Sequence, residues 1–222
     1  MFHKAFRSLC AGCGRDCNFN KILCPECVAL LPRPRIFCGG CGHPLAVPAE
    51  YCKHCEDRGT GINRYFSDYL YTGVMRNVIR EIKFNWRWRG ANQLGELCEA
   101  SKLKPEDYDK TTPIPFHFIR RFVRYVQPVS VITETFKQRG FICEKTLART
   151  VHTEYQSKLS RSERRLNVKG AFEINKDVNG MRILIIDDVI TTGATVTEAA
   201  RTLKKNGAAW VDVYTLLTGV PR

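Results

Sequence analysis

From residue 62 onward, apolar positions recur in two alternating rhythms. Residues 65–71 form a short aromatic run that predicts a strand. Val74, Val78, Ile79 and Ile82 then share one face of a helix predicted over 74–84, with Thr72 placed to cap it. A second helix is predicted over 91–101, a proline-punctuated strand over 110–116, a helix over 129–136 beginning after Pro128, and a short strand over 141–143. Ile183, Leu184, Ile185 and Ile186 make an unbroken apolar run, the pattern of a strand buried on both faces in a parallel sheet. That strand is expected to end at Asp187 and Asp188. A helical pattern over 196–206 follows, with Gly207 where a C-cap glycine belongs, and then a strand over 210–217. Strands alternating with helices predict an α/β fold, a parallel sheet flanked by helices.

Residues 1–61 show neither rhythm. They hold nine of the eleven cysteines in a doubled spacing, Cys10-x₂-Cys13-x₁₀-Cys24-x₂-Cys27 and then Cys38-x₂-Cys41-x₁₀-Cys52-x₂-Cys55. A Cys-x₂-Cys knuckle presents two thiolates to one ion, and two knuckles complete a tetrahedral site that suits zinc. The identical halves favour one zinc on Cys10, Cys13, Cys24 and Cys27 and a second on Cys38, Cys41, Cys52 and Cys55. Interleaved pairing, first knuckle with third, is the alternative. His43 and His54 lie near the second set as substitute ligands, and Cys17 stands outside both. With all four positions filled by protein, both sites are expected to be structural, and metal should supply much of the segment's folding free energy. The chain thus divides into a cysteine-rich zinc module, 1–61, and an α/β domain, 62–222.

The segment Asp187-Asp-Val-Ile-Thr-Thr-Gly-Ala-Thr195 combines two carboxylates at a strand end with a small-residue loop opening a helix. Backbone N–H groups converge there and the helix dipole adds positive charge, so the loop suits a phosphate. Gly193 allows close approach, and the hydroxyls of Thr191, Thr192 and Thr195 can donate. The carboxylates suit the hydroxyls of a ribose or a ligand-borne Mg²⁺. In open α/β sheets ligands sit beyond the carboxyl ends of strands, which is where this segment falls.

The formal charge is +13, and +7 of it lies in residues 61–150, which favours phosphate-rich partners. Within that stretch Phe84-Asn-Trp-Arg-Trp-Arg89 alternates aromatics with cations, suited to stacking on bases or to packing on the sheet. Residues 150–172 are polar and basic. They read as a mobile loop with a short helix over 160–167, and Arg161, Arg164 and Arg165 are candidates to close over a diphosphate. No apolar run approaches the length of a membrane span and no signal-peptide core precedes Cys10, so a cytoplasmic location is expected, a reducing setting in which cysteines bind metal.

The 183–195 segment closely resembles the phosphoribosyl-pyrophosphate (PRPP) motif of type I phosphoribosyltransferases. That resemblance implies ribose contacts from Asp187 and Asp188 and a 5′-phosphate cradle of Thr191, Thr192, Gly193, Ala194 and Thr195, with Mg²⁺ accompanying PRPP. The chain as a whole resembles the ComF/GntX (ComFC) family. It carries the cysteine knuckles, Tyr71-x-Gly73-x-x-Arg76-x-x-Ile79-x-x-Ile82-Lys83-Phe84, Pro113-Ile-Pro-Phe-His117, and Gln156-Ser-x-Leu159-Ser-x-x-Glu-Arg164-Arg-x-Asn167-x-x-Gly170-Ala-Phe172. One segment departs: the family's Arg-Gly-Phe-Asn-Gln reads Arg124-Tyr-Val-Gln-Pro128 here. The resemblance implies a type I phosphoribosyltransferase-like sheet with a zinc-ribbon module, acting in natural transformation and binding single-stranded DNA and PRPP or a nucleotide. Two other readings stay open. One is an active PRPP-dependent transferase of unknown acceptor. The other is a non-catalytic, zinc-braced adaptor for a helicase or uptake-channel protein.

Overall fold

The computed structural model describes residues 8–38, 44–52, 55, 60–84, 88–100, 103–115, 126–150 and 168–219. A small ribbon, β1 (Ser8–Leu9) with β2 (Asp16–Cys17), and helix α1 (Pro25–Ala29) come first. Strand β3 (Arg64–Leu70), helices α2 (Gly73–Phe84) and α3 (Gln93–Leu97), strand β4 (Lys110–Pro113) and helix α4 (Pro128–Gln138) follow. Two short strands, β5 (Leu147–Arg149) and β6 (Phe172–Ile174), pair antiparallel. The chain then runs through β7 (Arg182–Ile190), α5 (Ala194–Lys205) and β8 (Trp210–Thr218). The main sheet has the order β3-β8-β7-β4, and every pairing in it is parallel. No helix among the described residues is long and apolar enough to cross a membrane.

The apolar run of β7 does what its pattern predicts. Ile183 to Ile186 are fully buried, Ile183 and Ile185 in the core on one sheet face, Leu184 and Ile186 in the core on the other. The strand does not stop at the acids as expected. It continues to Ile190, because β8 is equally long and keeps offering ladder partners: Asp187 lies opposite Thr215, Val189 opposite Leu217 and Ile190 opposite Thr218. The following helix begins two residues earlier than its apolar pattern, at Ala194. Gly207, at φ 91°, ends it as predicted, its N–H on the Lys204 carbonyl and that of Ala208 on the Leu203 carbonyl.

Two other elements are shorter than their sequence rhythm. The helix expected over 91–101 is a 3₁₀ turn, Trp88–Asn92, followed only by α3. Tertiary bonds claim the backbone beyond it: the Glu99 N–H donates to Asp68 Oδ2 at 2.8 Å, and Arg139 donates to the carbonyls of Cys98 and Glu99. The strand expected over 141–143 reduces to a single bridge between Thr111 and Cys143.

The first half of the cysteine segment is packed into the main core. Cys10, Ile22, Leu23, Cys24 and Leu31 belong to the same buried cluster as Met75, Val78 and Leu94 of α2 and α3. Gln93 stitches the two together: its Oε1 accepts from the Ile22 and Leu23 N–H groups, each at 2.9 Å, and its Nε2 donates to the Leu23 carbonyl at 3.0 Å. Gln93→Leu would leave three buried backbone groups unsatisfied, so urea unfolding should show a loss of about 3 kcal/mol. The second half forms a small separate cluster of Cys38, Cys52, Cys55 and Leu45, tied to β3 by an edge-on contact of Phe37 with Tyr65 at 5.8 Å.

Candidate functional site

The acid pair lies in the second half of β7, where successive side chains point to opposite sheet faces. Asp188 faces the α2 side and pairs with the Lys83 ammonium; their side chains are only 13% and 17% exposed. Its own N–H donates to Asp187 Oδ1 at 2.9 Å. Asp187 is partly buried, and desolvation first, then the neighbouring Asp188 charge, hold its carboxyl well above the usual carboxylate range. The two acids are therefore inequivalent, Asp188 paired directly with an internal ammonium and Asp187 feeling it only at longer range.

Directly after β7, Thr191 to Gly193 turn the chain into α5. Gly193 sits at φ 74°, a left-handed conformation that costs a side-chain-bearing residue about 1–2 kcal/mol, which accounts for glycine here. Its carbonyl accepts the first helical bond, from Thr197 at 2.9 Å, while the Ala194 N–H reaches Thr192 Oγ1 only at 3.5 Å. The twelve-residue helix thus opens its positive end at the mouth of the sheet, next to Tyr71 and Gly219, whose N–H groups bond the Thr218 and Ile190 carbonyls.

Asp187, Asp188, Thr191, Thr192, Gly193, Ala194 and Thr195 are therefore gathered on one strand-to-helix junction. Arg161, Arg164, Arg165, Trp86 and the Arg124 segment up to Tyr125 lie outside the described residues. Lys83 received no role from the sequence pattern. The available signal is a lysine directly following Ile82, the last position on the predicted apolar face of the helix, where a bland solvated residue is the ordinary expectation. A cleft of about 880 Å³ runs along the outer side of α5, between Thr192 at one end and Lys205 and Asn206 at the other, with Val168 and Phe172 in its opposite wall. It shares the threonine loop, but neither acid lines it.

The cysteines form two groups. The sulfurs of Cys10, Cys13, Cys24 and Cys27 lie within 4.8 Å of one another, as do those of Cys38, Cys52 and Cys55; Cys41, His43 and His54 lie outside the described residues. This is the sequential grouping. Cys13 and Cys24 sulfurs stand 3.8 Å apart, and a tetrahedral ion with zinc–sulfur bonds of about 2.3 Å needs an edge of about 3.8 Å. Backbone N–H groups point at the sulfurs, from Gly12 and Cys24 to Cys10 and from Cys52 to Cys38, at 3.2–3.4 Å. Arg15 donates to Cys13 and lowers its thiol to about 6. Burial and then the surrounding thiols push Cys27 up to about 12, so the four ionise together only around a cation. An all-sulfur donor set of this size fits zinc.

Residues 129–220 match the family described as Phosphoribosyl transferase domain. The chain is 31% identical over 195 residues to competence protein ComFC of Bacillus subtilis (strain 168), covering 81% of this chain and 77% of that protein. It is 29% identical over 217 residues to DNA utilization protein YhgH of Escherichia coli O157:H7, covering 94% and 89%. A purine phosphoribosyltransferase structure from Pyrococcus horikoshii Ot3 is a looser likeness, 15% identical with a TM-score of 0.37 over 58% of this chain and 83% of that one.

Proposed function

This chain belongs to the ComF family of competence-associated, phosphoribosyltransferase-like proteins, and on that footing we propose that it handles incoming single-stranded DNA while holding PRPP, or a nucleotide with the same sugar-phosphate unit, at residues 187–195. The observation that carries this reading is the junction itself: an acid pair in the second half of a buried parallel strand, whose end leads through Thr191 and Thr192 into a left-handed glycine and a helix N-terminus without a side-chain cap. One end offers acceptors for ribose hydroxyls, the other donors and positive potential for a 5′-phosphate. Mg²⁺ entering with PRPP would be met by the carboxylates and would neutralise the diphosphate. The cysteine groups hold two structural zinc ions in this reading, and residues 1–61 act as a brace docked through their first half onto α2 and α3.

The DNA-handling part is supported by the charge of +13 and by what the relatives' names say of those proteins. Its test is a labelled single-stranded oligonucleotide titrated at 50 and 200 mM salt. Backbone neutralisation releases counterions, so binding should weaken about tenfold or more across that range. No binding at low salt would remove DNA from the account and leave the sugar-phosphate site standing.

A further inference from the structure

We propose that Lys83 is the resident counter-ion of the acid pair, exchanged at Asp188 for the divalent cation that a phosphoribosyl diphosphate brings with it. The inference rests on the sugar-phosphate reading of residues 187–195 and adds how that site is kept poised without ligand. Lys83 lies in the last turn of α2, where the carbonyl end of the helix favours a cation. It reaches from there to Asp188 Oδ2, and both groups are largely shielded from water. Two carboxylates next to each other in a half-dry setting repel, and the one internal ammonium pairs directly with Asp188 while acting on Asp187 only from a distance.

A divalent cation needs oxygen ligands, and the Oδ2 atom it would approach is the one Nζ already holds. Ammonium and metal cannot share that oxygen without strong repulsion, so metal alone binds weakly while Lys83 is in place. A metal–diphosphate ligand changes the balance. It delivers its own cation to the acids and several negative charges beside it. The four-carbon stem of Lys83 lets the ammonium leave Asp188 and pair with the diphosphate. No covalent bond changes in this exchange: the Lys83 ammonium pairs with Asp188 before it and with the diphosphate after it, when the cation takes its place on the acid. Lys83 is thus a positioning residue for the acids and a selectivity device, admitting the cation with its diphosphate rather than alone.

The test uses the zinc-loaded full chain with Mn²⁺ as a spin-active probe, followed by electron paramagnetic resonance, and with PRPP binding followed by calorimetry in saturating Mg²⁺. Lys83→Met and Lys83→Gln should each bind Mn²⁺ alone about tenfold tighter than wild type, and Asp188→Asn should abolish the gain. The same two variants should bind PRPP about tenfold more weakly, while Lys83→Arg stays near wild type in both measurements. A merely structural lysine would not move the two affinities in opposite directions. Unchanged or weaker Mn²⁺ binding in both variants overturns the counter-ion role. Tighter Mn²⁺ binding with unaltered PRPP affinity overturns the exchange. Absence of PRPP binding in every protein, wild type included, is the separate outcome that fails the underlying site reading.

Discussion

Stripping metal from the first cysteine group is expected to unfold the α/β domain together with the cysteine segment. Structural zinc contributes about 10–16 kcal/mol in isolated finger peptides, comparable with the entire stability of a domain, about 5–15 kcal/mol. With the zinc proposed for the first group, that contribution would not be confined to a satellite. Cys10 and Cys24 sit in the same core as Met75, Leu94, Ile132 and Tyr214, and Ile22 and Leu23 are fully buried between them. Losing the ion leaves crowded thiols in that core, including Cys27, whose proton must be removed again before any ion can rebind. Circular dichroism melts of Cys24→Ser should therefore show no cooperative transition, or one lowered by about 10 °C or more. Cys52→Ser should cost far less, since among the described residues its group forms a small cluster with Leu45 apart from the main core. Zinc content should fall from two equivalents to one in each variant. Equal melting losses for both would mean that the first group is not part of the main core.

The second large effect separates the two acids. Asp187→Asn should lower PRPP affinity about a hundredfold, because a carboxylate accepting ribose hydroxyls through charge-assisted bonds is replaced by a weaker acceptor. The same variant should melt at or above the wild-type temperature at neutral pH. The sign follows from the raised Asp187 carboxyl: folding favours its protonated form, so the stability it contributes is fully present below its unfolded value and is lost as pH rises through the folded one. Asparagine has no charge to desolvate or proton to take up, so that cost of folding is relieved at neutral pH. Asp188→Asn should behave oppositely in stability. It strands the Lys83 ammonium in a largely shielded place, a loss of about 1–3 kcal/mol in urea unfolding. Two neighbouring acids with opposite stability effects would reflect the pleat of β7 and the position of α2.

The parts of the fold legible from sequence are those where local pattern and tertiary packing agree. The Ile183–Ile186 run, the amphipathic face of 74–84 and the Gly207 stop each specify their element without help, and each is present in the structure. The doubled cysteine spacing likewise specified two groups, and the sulfurs of the described residues gather in sequential order. What was not legible was set by partners remote in sequence. The extension of β7 past its acids depends on the length of β8, and the early end of α3 depends on Arg139 and Asp68. The largest omission at the site was Lys83, about a hundred residues before the acid it neutralises. Its neighbours in sequence give no hint of that pairing; only the crossing of α2 over the sheet does. The burial of Cys10, Ile22 and Leu23 in the domain core was equally hidden, since Gln93, which accepts from the Ile22 and Leu23 N–H groups and donates to the Leu23 carbonyl, looks like any polar helix residue.

The central claim is that a sugar-phosphate ligand occupies the junction of β7 and α5. Titration calorimetry of the zinc-loaded chain with PRPP and Mg²⁺ tests it most directly, run beside the Asp187→Asn, Asp188→Asn double variant. The account predicts one saturable site in the wild type and no measurable heat in a variant that still unfolds cooperatively. A folded wild type that gives no heat, or a double variant that binds as tightly as the wild type, would contradict it.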